Sequence, residues 1–331
     1  MELKISEILE RFPLRVSITD YCNLKCFFCS NEGMALEQKN ISHMDIDNFR
    51  YLLEILSKNG LRQISVTGGE PTLHPQVKEI LKIINNSKIK EKFFHTNGTN
   101  LEEPLKSGEL DKFTKIAVSI PALDYKIWNK INQGTQEQFN SLIKNLELLN
   151  KRGLSNKVEI KHVPLKGLND SDELLKKTLD LCVRYRFKFK FLNFEPIKDN
   201  QEDFVIHVDK LSERLERLGC KRSDNNKIFR GQQDYLPIKR YDYQDLTGSL
   251  IEIGCGESNV CKACYKSNEI FLTPLFEIKP CHVHIHKIPL LNLIKEKNEK
   301  EILDKIAESR AFLKGRPGED AAYWNQNQDE N

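Results

Sequence analysis

Three cysteines, Cys22, Cys26 and Cys29, share one short stretch, SITDYCNLKCFFCSNE. Their spacing, C-x3-C-x2-C, puts three thiolate-forming ligands in a single loop. Three thiolates leave a metal centre one ligand short. On a cubane iron–sulfur cluster this means three irons held and one iron open to a substrate or cofactor. A structural zinc site takes four protein ligands, and no further His or Cys stands beside this loop to complete one. Unligated thiols on an exposed loop are an oxidation liability. A second signal follows at Gly68-Gly69-Glu70-Pro71. The glycines let the backbone come close to a ligand without a Cβ in the way. Glu70 supplies an anion suited to a small cationic group, and Pro71 stiffens the turn.

Four further cysteines, Cys255, Cys261, Cys264 and Cys281, gather late in the chain, with C-x2-C-x16-C spacing from Cys261. Glycines flank Cys255 on both sides, as in a loop bending toward a metal. With Cys255 as fourth ligand this second centre is closed, an electron relay or a structural staple; without it, an iron is open. A four-cysteine zinc site is the alternative. In CHVHIH, His282, His284 and His286 share one strand face, either a metal or substrate surface or the polar side of a hairpin. Cys182 keeps helical spacing with Leu175 and Leu179 and reads as a small core residue.

The elements that must position these residues alternate. Strands are expected over 14–19, 63–66, 92–96, 115–120, 158–164 and 187–196. Helices fall between them, including 45–60, 75–85 with Pro75 at its first position, and 172–185 capped by Asn169, Asp170 or Ser171. Strict alternation implies a parallel sheet, because parallel neighbours need a crossover. The fold class is therefore α/β, and six units in about 190 residues fit a partial (β/α)6 TIM-like barrel rather than a closed eight-unit one. In such folds ligands bind at the C-terminal ends of the strands. The cysteine loop, the GGEP turn, Thr96–Gly98, Ser119–Pro121 and Asn193–Glu195 all fall there. The expected division is a barrel over 1–200, a connecting helix and linker over 201–250, and a small auxiliary cluster region over 251–331 with a loose tail.

The 331 residues are 39% hydrophobic and 30% charged, with a formal charge of +3. That balance is ordinary for a globular protein and gives no strong pull toward nucleic acid or membrane. No apolar run reaches the roughly 18–20 residues of a membrane span. The opening stretch MELKISEILERF lacks the apolar core of a secretory signal, so a cytoplasmic location is expected, where clustered cysteines bind metal rather than pair.

The cysteine spacing with Phe28 before the last thiol, together with Gly68-Gly69-Glu70-Pro71, resembles the radical S-adenosylmethionine (SAM) superfamily. The resemblance implies a [4Fe–4S] cluster on Cys22, Cys26 and Cys29, and SAM chelated at the open iron. One-electron cleavage of its sulfonium then gives a 5′-deoxyadenosyl radical that takes hydrogen from a substrate. It also implies that Gly68, Gly69 and Glu70 hold the methionine ammonium, that the Phe28 backbone, Asn97 and Ser119 contact the rest of the cofactor, and that Glu195 contacts the ribose or the substrate. Further runs, VTGGEPTLHP, HTNGT, AVSIPALD and HVPLKGLNDSDELL, look like the GTP cyclase group of molybdenum-cofactor synthesis. EIFLTPLFEIKPC resembles the hairpin of Twitch or SPASM auxiliary-cluster domains, which implies a second [4Fe–4S] cluster at Cys255, Cys261, Cys264 and Cys281.

Compared with that cyclase group, Arg15 is kept, but Ser65 replaces an arginine and Glu159 replaces a lysine. The family's arginines after CxxC fall at Lys266 and Asn268, and its C-terminal double glycine is missing. An acidic side chain beside a triphosphate is repulsive. These departures lead to the expectation of a radical SAM enzyme with an unknown small-molecule, nucleotide-like substrate, with Lys188 or Lys190 replacing the lost lysine. The alternatives are a true GTP 3′,8-cyclase, a peptide-modifying maturase acting on a short peptide, or a non-catalytic zinc or electron-transfer protein. An electron donor such as flavodoxin or ferredoxin is expected; a nucleic-acid or membrane partner is not.

Overall fold

A computed structural model describes residues 4–29, 41–194, 196, 201–223, 238–251, 269–280 and 286–315. Cys255, Cys261, Cys264, Cys281, His282, His284 and Glu195 lie outside the described residues.

Six parallel strands form the centre: β1 (Leu14–Ser17), β2 (Gln63–Thr67), β3 (Glu91–Thr96), β4 (Lys115–Ser119), β5 (Val158–His162) and β6 (Lys188–Leu192). After α1 (Ile5–Arg11), the crossovers carry α2 (Ile46–Lys58), α3 (Val77–Asn86), α4 (Glu102–Lys106), α5 (Tyr125–Asn132), α6 (Gln136–Lys151) and α7 (Asp172–Tyr185). Successive side chains on a strand face opposite sides of the sheet. Val16, Ile64, Val66, Phe94, Ile116, Val118, Val158, Ile160, Phe189 and Phe191 are all buried in one apolar core with Leu52, Ile80, Leu146 and Leu179 of the helices. The intervening residues, Arg15, Ser65, His95, Lys115, Glu159, Lys161 and Lys190, are polar and therefore face the lumen.

The sheet extends beyond the six expected strands. After α8 (Val208–Arg217) come β7 (Lys221–Arg222), β8 (Ile238–Tyr243), β9 (Leu246–Ile251), β10 (Ile270–Leu272), β11 (Glu277–Lys279) and β12 (Ile288–Pro289), then α9 (Leu291–Lys295) and α10 (Glu299–Gly315). β9 adds parallel to β6 and β10 adds parallel to β1, so the order is β12-β11-β10-β1-β2-β3-β4-β5-β6-β9-β8-β7. Residues 238–251, expected as linker, are thus a hairpin joined to the barrel sheet. Gly248 makes this docking fit, because a Cβ there would enter the Phe189 ring. The hairpin expected around EIFLTPLFEIK is β10–β11, turning at Phe276 with φ 60°.

Some boundaries move for local reasons. The helix expected from Pro75 starts at Val77, because the His74 ring first accepts the Gln76 amide at 3.1 Å. The strand expected to reach Pro164 stops at His162, and Leu165 N then donates to Asn169 Oδ1 at 2.6 Å. Ser171 is the residue that caps α7, accepting from Leu174 N. Cys182 is fully buried on that helix, as its spacing predicts.

Candidate functional site

The cysteine loop follows β1 and is strapped from several sides. Lys25 N and Phe27 N donate to the carbonyls of Asn132 and Ile131 at the end of α5, at 3.0 and 2.8 Å. Gln138 of α6 donates to Asn23 O at 3.1 Å. Cys29 N donates to Cys26 O at 3.0 Å, closing a turn between the second and third cysteines. Phe28 is half-buried against Ile131, Leu165 and Phe194.

The GGE turn grips the stem of the same loop. Gly69 N donates to Thr19 O at 2.8 Å, and Glu70 N to Tyr21 O at 2.7 Å. The glycines are needed for this approach of backbone to backbone. A Cβ on Gly68 would lie 2.6 Å from Thr19 O, and one on Gly69 would lie 2.7 Å from Asp20 O and closer still to Tyr21. Backbone atoms held by hydrogen bonds do not yield as a side chain would. Gly69→Ala is therefore expected to lower stability by about 2 kcal/mol or more and to unseat the loop. Thermal unfolding of the cluster-free protein checks this, and an unchanged melting temperature would contradict it.

Glu70 is buried and is the hub between three loops. Its Oε1 accepts from Thr72 Oγ1 at 2.7 Å, Thr72 N at 3.2 Å and Thr96 Oγ1 at 2.8 Å. Its Oε2 accepts from Asn97 N at 2.7 Å, so the remaining acceptor capacity lies at Oε2. Burial pushes its pKa up, and these hydrogen bonds pull against that. Asn97 carries the link to the thiols: its Nδ2 donates to Asn23 Oδ1 at 2.9 Å and approaches Cys22 Sγ at 3.9 Å. Its Oδ1 accepts from Thr99 N and Thr99 Oγ1. Ser119 stands exposed at the end of β4, apart from this network.

Burial first, then the neighbouring charges of Glu70 and Cys29, push the Cys22 thiol up to about 12. Cys26 is pushed up in the same way, by burial and then by Cys29 and Cys22. The three sulfurs thus sense one another and Glu70, and a cationic centre among them would reverse the shifts. Among the described residues no three His, Cys, Asp or Glu side chains converge as around a single metal ion. Three thiols in one loop, with no further His or Cys beside them, fit a cubane with one open iron better than a zinc site, which takes four protein ligands.

Below this rim the lumen is charged. Lys115 and Lys190 both pair with Glu159, at 3.5 and 3.0 Å. Burial alone would raise the Glu159 carboxyl, yet Lys190, Lys115 and Lys161 together hold it down at about 2. Arg15 pairs with Glu269 at 3.3 Å, and Ser65 donates to the same carboxylate at 3.1 Å. Lys161 Nζ meets His95 Nδ1 at 2.8 Å. Burial, then Arg15 and Lys190, lower the Lys161 pKa to about 7, and burial with Lys161 keeps the His95 imidazole neutral. His95 directly precedes Thr96, so this layer begins one residue beneath Glu70. Thr96 was expected only as part of the rim, and Thr72, His95 and Lys161 were not singled out from sequence. The available signals were the threonines flanking GGEP and HTNG, and the period of two shared by Glu159 and Lys161.

A parallel α/β half-barrel with three cysteines and a buried GGE turn at its mouth defines a class. Residues 16–180 match the family described as the Radical SAM superfamily, and the chain belongs to that superfamily. It is accordingly an enzyme whose cofactors are a [4Fe–4S] cluster and SAM. Curated relatives narrow the likeness. The "Probable GTP 3′,8-cyclase" of Methanococcus aeolicus is 29% identical over 243 residues, 67% of this chain and 72% of the relative. The GTP 3′,8-cyclase of Haemophilus influenzae is 25% identical over 295 residues, 88% of this chain and 84% of the relative. That of Shewanella denitrificans is 26% identical over 304 residues, covering 90% and 86%. Among solved structures, Streptococcus suis SuiB superposes with a TM-score of 0.63 at 18% identity, over 89% of this chain and 65% of that one. The AdoMet-bound anSMEcpe superposes with a TM-score of 0.57 at 16% identity, covering 88% and 82%. These likenesses bear on the fold. Among the described residues no helix is long and apolar enough to cross a membrane.

Proposed function

We propose that this chain is a GTP 3′,8-cyclase: a radical SAM enzyme acting on a purine nucleoside triphosphate held in the barrel. When bound, the cluster and SAM supply a one-electron cleavage that yields a hydrogen-abstracting radical. Cys22, Cys26 and Cys29 hold the cluster, and Gly68, Gly69, Glu70, Asn97, the Phe28 backbone, Ser119 and Glu195 line the cofactor's place. Glu70 Oε2 meets the methionine ammonium, and Asn97, tied to both Glu70 and Cys22, keeps cofactor and cluster in register. The packed rim of Phe28, Ile131 and Phe194 keeps water from the radical.

The observation that carries the substrate reading is the excess of positive charge in the lumen. The sequence suggested a different substrate because Glu159 replaces a lysine. In the barrel, Glu159 lies between Lys115 and Lys190, and Lys161 stands two residues further along β5, so the reversal is more than offset. Ser65 serves the carboxylate that orients Arg15. A net cationic cavity suits a polyanion. The relatives' shared name and their coverage support the same reading.

The proposal extends to the barrel over 1–200, to which the hairpin at 238–251 is joined, and to an auxiliary region over 251–331. There Cys261, Cys264 and Cys281, with Cys255, hold a second [4Fe–4S] cluster. A flavodoxin or ferredoxin delivers the electron. The test is anaerobic: reconstituted protein with SAM and dithionite should form 5′-deoxyadenosine at least about tenfold faster with GTP than without it, and consume GTP in step. Cleavage of SAM that is indifferent to GTP, with GTP recovered intact, would overturn the cyclase reading while leaving the family in place.

A further inference from the structure

The lumen's cations are not equivalent. Arg15 has Glu269, while Lys115 and Lys190 share Glu159. Lys161 makes no carboxylate ion pair among the described residues; the hydrogen-bond partner of its Nζ is His95 Nδ1. An imidazole that accepts from an ammonium leaves the remaining N–H groups of Nζ to other acceptors. His95 stays neutral, so it orients Lys161 without cancelling its charge. Both residues are half-buried, so part of their surface stays accessible within the lumen.

We infer that Lys161, oriented by His95, is the seat of a substrate oxyanion, a phosphate oxygen in the nucleotide reading above, on which this inference rests for its choice of ligand. His95 is a positioning residue and Lys161 the binding one. The neighbouring groups favour the same assignment. Lys161 is faced by Arg15 from β1, His95 from β3, Lys115 from β4, Glu159 on its own strand and Lys190 from β6. Cations outnumber carboxylates there. An anion reaching Lys161 supplies the ion pair that this lysine lacks among the described residues, and Glu159 opposes its approach.

The probe is inorganic tripolyphosphate, measured by calorimetry on the cluster-loaded protein without SAM. Lys161→Met should weaken binding at least about tenfold, and His95→Phe by about threefold to tenfold. Glu159→Gln should strengthen it several-fold, which a merely structural role for this network does not give. Lys176→Met, which removes an exposed lysine paired with Asp180 on α7, should leave it unchanged. The pH dependence adds a readout. Lys161 titrates near 7 when the lumen is empty, and a bound anion raises that value. Affinity should hold steady below about pH 7 and fall as pH rises above it, with protons taken up on binding in that window. The ligand's own titration is common to wild type and Lys161→Met, so the difference between their profiles reports Lys161. Equal affinities for wild type and Lys161→Met, or weaker binding by Glu159→Gln, would overturn the inference. Tripolyphosphate bound through Lys161 in a protein that ignores GTP would leave this inference standing and remove the cyclase reading; GTP-driven turnover with no role for Lys161 would do the reverse.

Discussion

Cys26→Ala is expected to reduce 5′-deoxyadenosine formation by more than about 100-fold and to lower the iron content by about four per chain. The argument starts from what the substitution leaves intact. The backbone on either side of Cys26 is pinned by Lys25 N to Asn132 O and by Phe27 N to Ile131 O. The turn to Cys29 uses the Cys26 carbonyl, which alanine keeps. Alanine also removes a thiol that burial and two neighbouring sulfurs hold protonated, so the cluster-free fold loses little. What disappears is one of three iron anchors. Two thiolates hold a cubane poorly, and the loop offers no replacement donor: Asn97 Nδ2 near Cys22 is a donor of hydrogen, not of electrons to a metal. Iron analysis and the absorption of the reconstituted protein, read beside its circular dichroism, separate lost ligation from lost folding. Undiminished deoxyadenosine formation by Cys26→Ala would remove the cluster from this loop.

The sequence and the structure agree where a signal is local. Val16, Ile64, Val66, Phe94, Ile116 and Val118 are buried against the helices, and the short β-rich runs that contain them marked β1 to β4. The cysteine spacing and the GGEP turn are equally local. The reason for the glycines was not. Their Cβ positions are closed by Thr19, Asp20 and Tyr21, residues about fifty positions earlier, and nothing in GGEP itself discloses that contact. β9 and β10 were illegible as barrel strands because their role depends on pairing with β6 and β1 across large sequence separations. The lumen shows the same limit more sharply. Glu159 and Lys161 alternate on one face of β5, but which lysines neutralise the glutamate is decided by β4 and β6. The sequence offered Lys188 or Lys190 as the spare cation. Lys190 is occupied by Glu159, whereas Lys161, which sequence reasoning passed over, has no carboxylate ion pair among the described residues.

Glu70→Ala is expected to weaken SAM binding roughly 10- to 100-fold, with iron at the first cluster near normal, because a charge-assisted hydrogen bond contributes about 1.5–3 kcal/mol. The same change also orphans protein groups. Asn97 N, Thr72 N, Thr72 Oγ1 and Thr96 Oγ1 all donate to this carboxylate. Losing their acceptor costs about 1–3 kcal/mol for each group left buried and unpaired, so alanine should lower stability as well as affinity. Glu70→Gln separates the two effects. The amide keeps the volume and one carbonyl oxygen. If that oxygen faces the two threonines, the new NH2 meets Asn97 N–H, donor against donor. The β3 end then shifts, and with it the Asn97 side chain beside Cys22. Glutamine should therefore recover part of the stability but little of the affinity, because an amide does not offer an ammonium a negative charge. Burial raises the Glu70 pKa in the empty site, and a cation at Oε2 draws it down again. SAM should accordingly stabilise wild type against heat and stabilise Glu70→Gln far less. Equal stabilisation of the two proteins by SAM would mean that the ammonium is held elsewhere and that Glu70 serves only to join the loops.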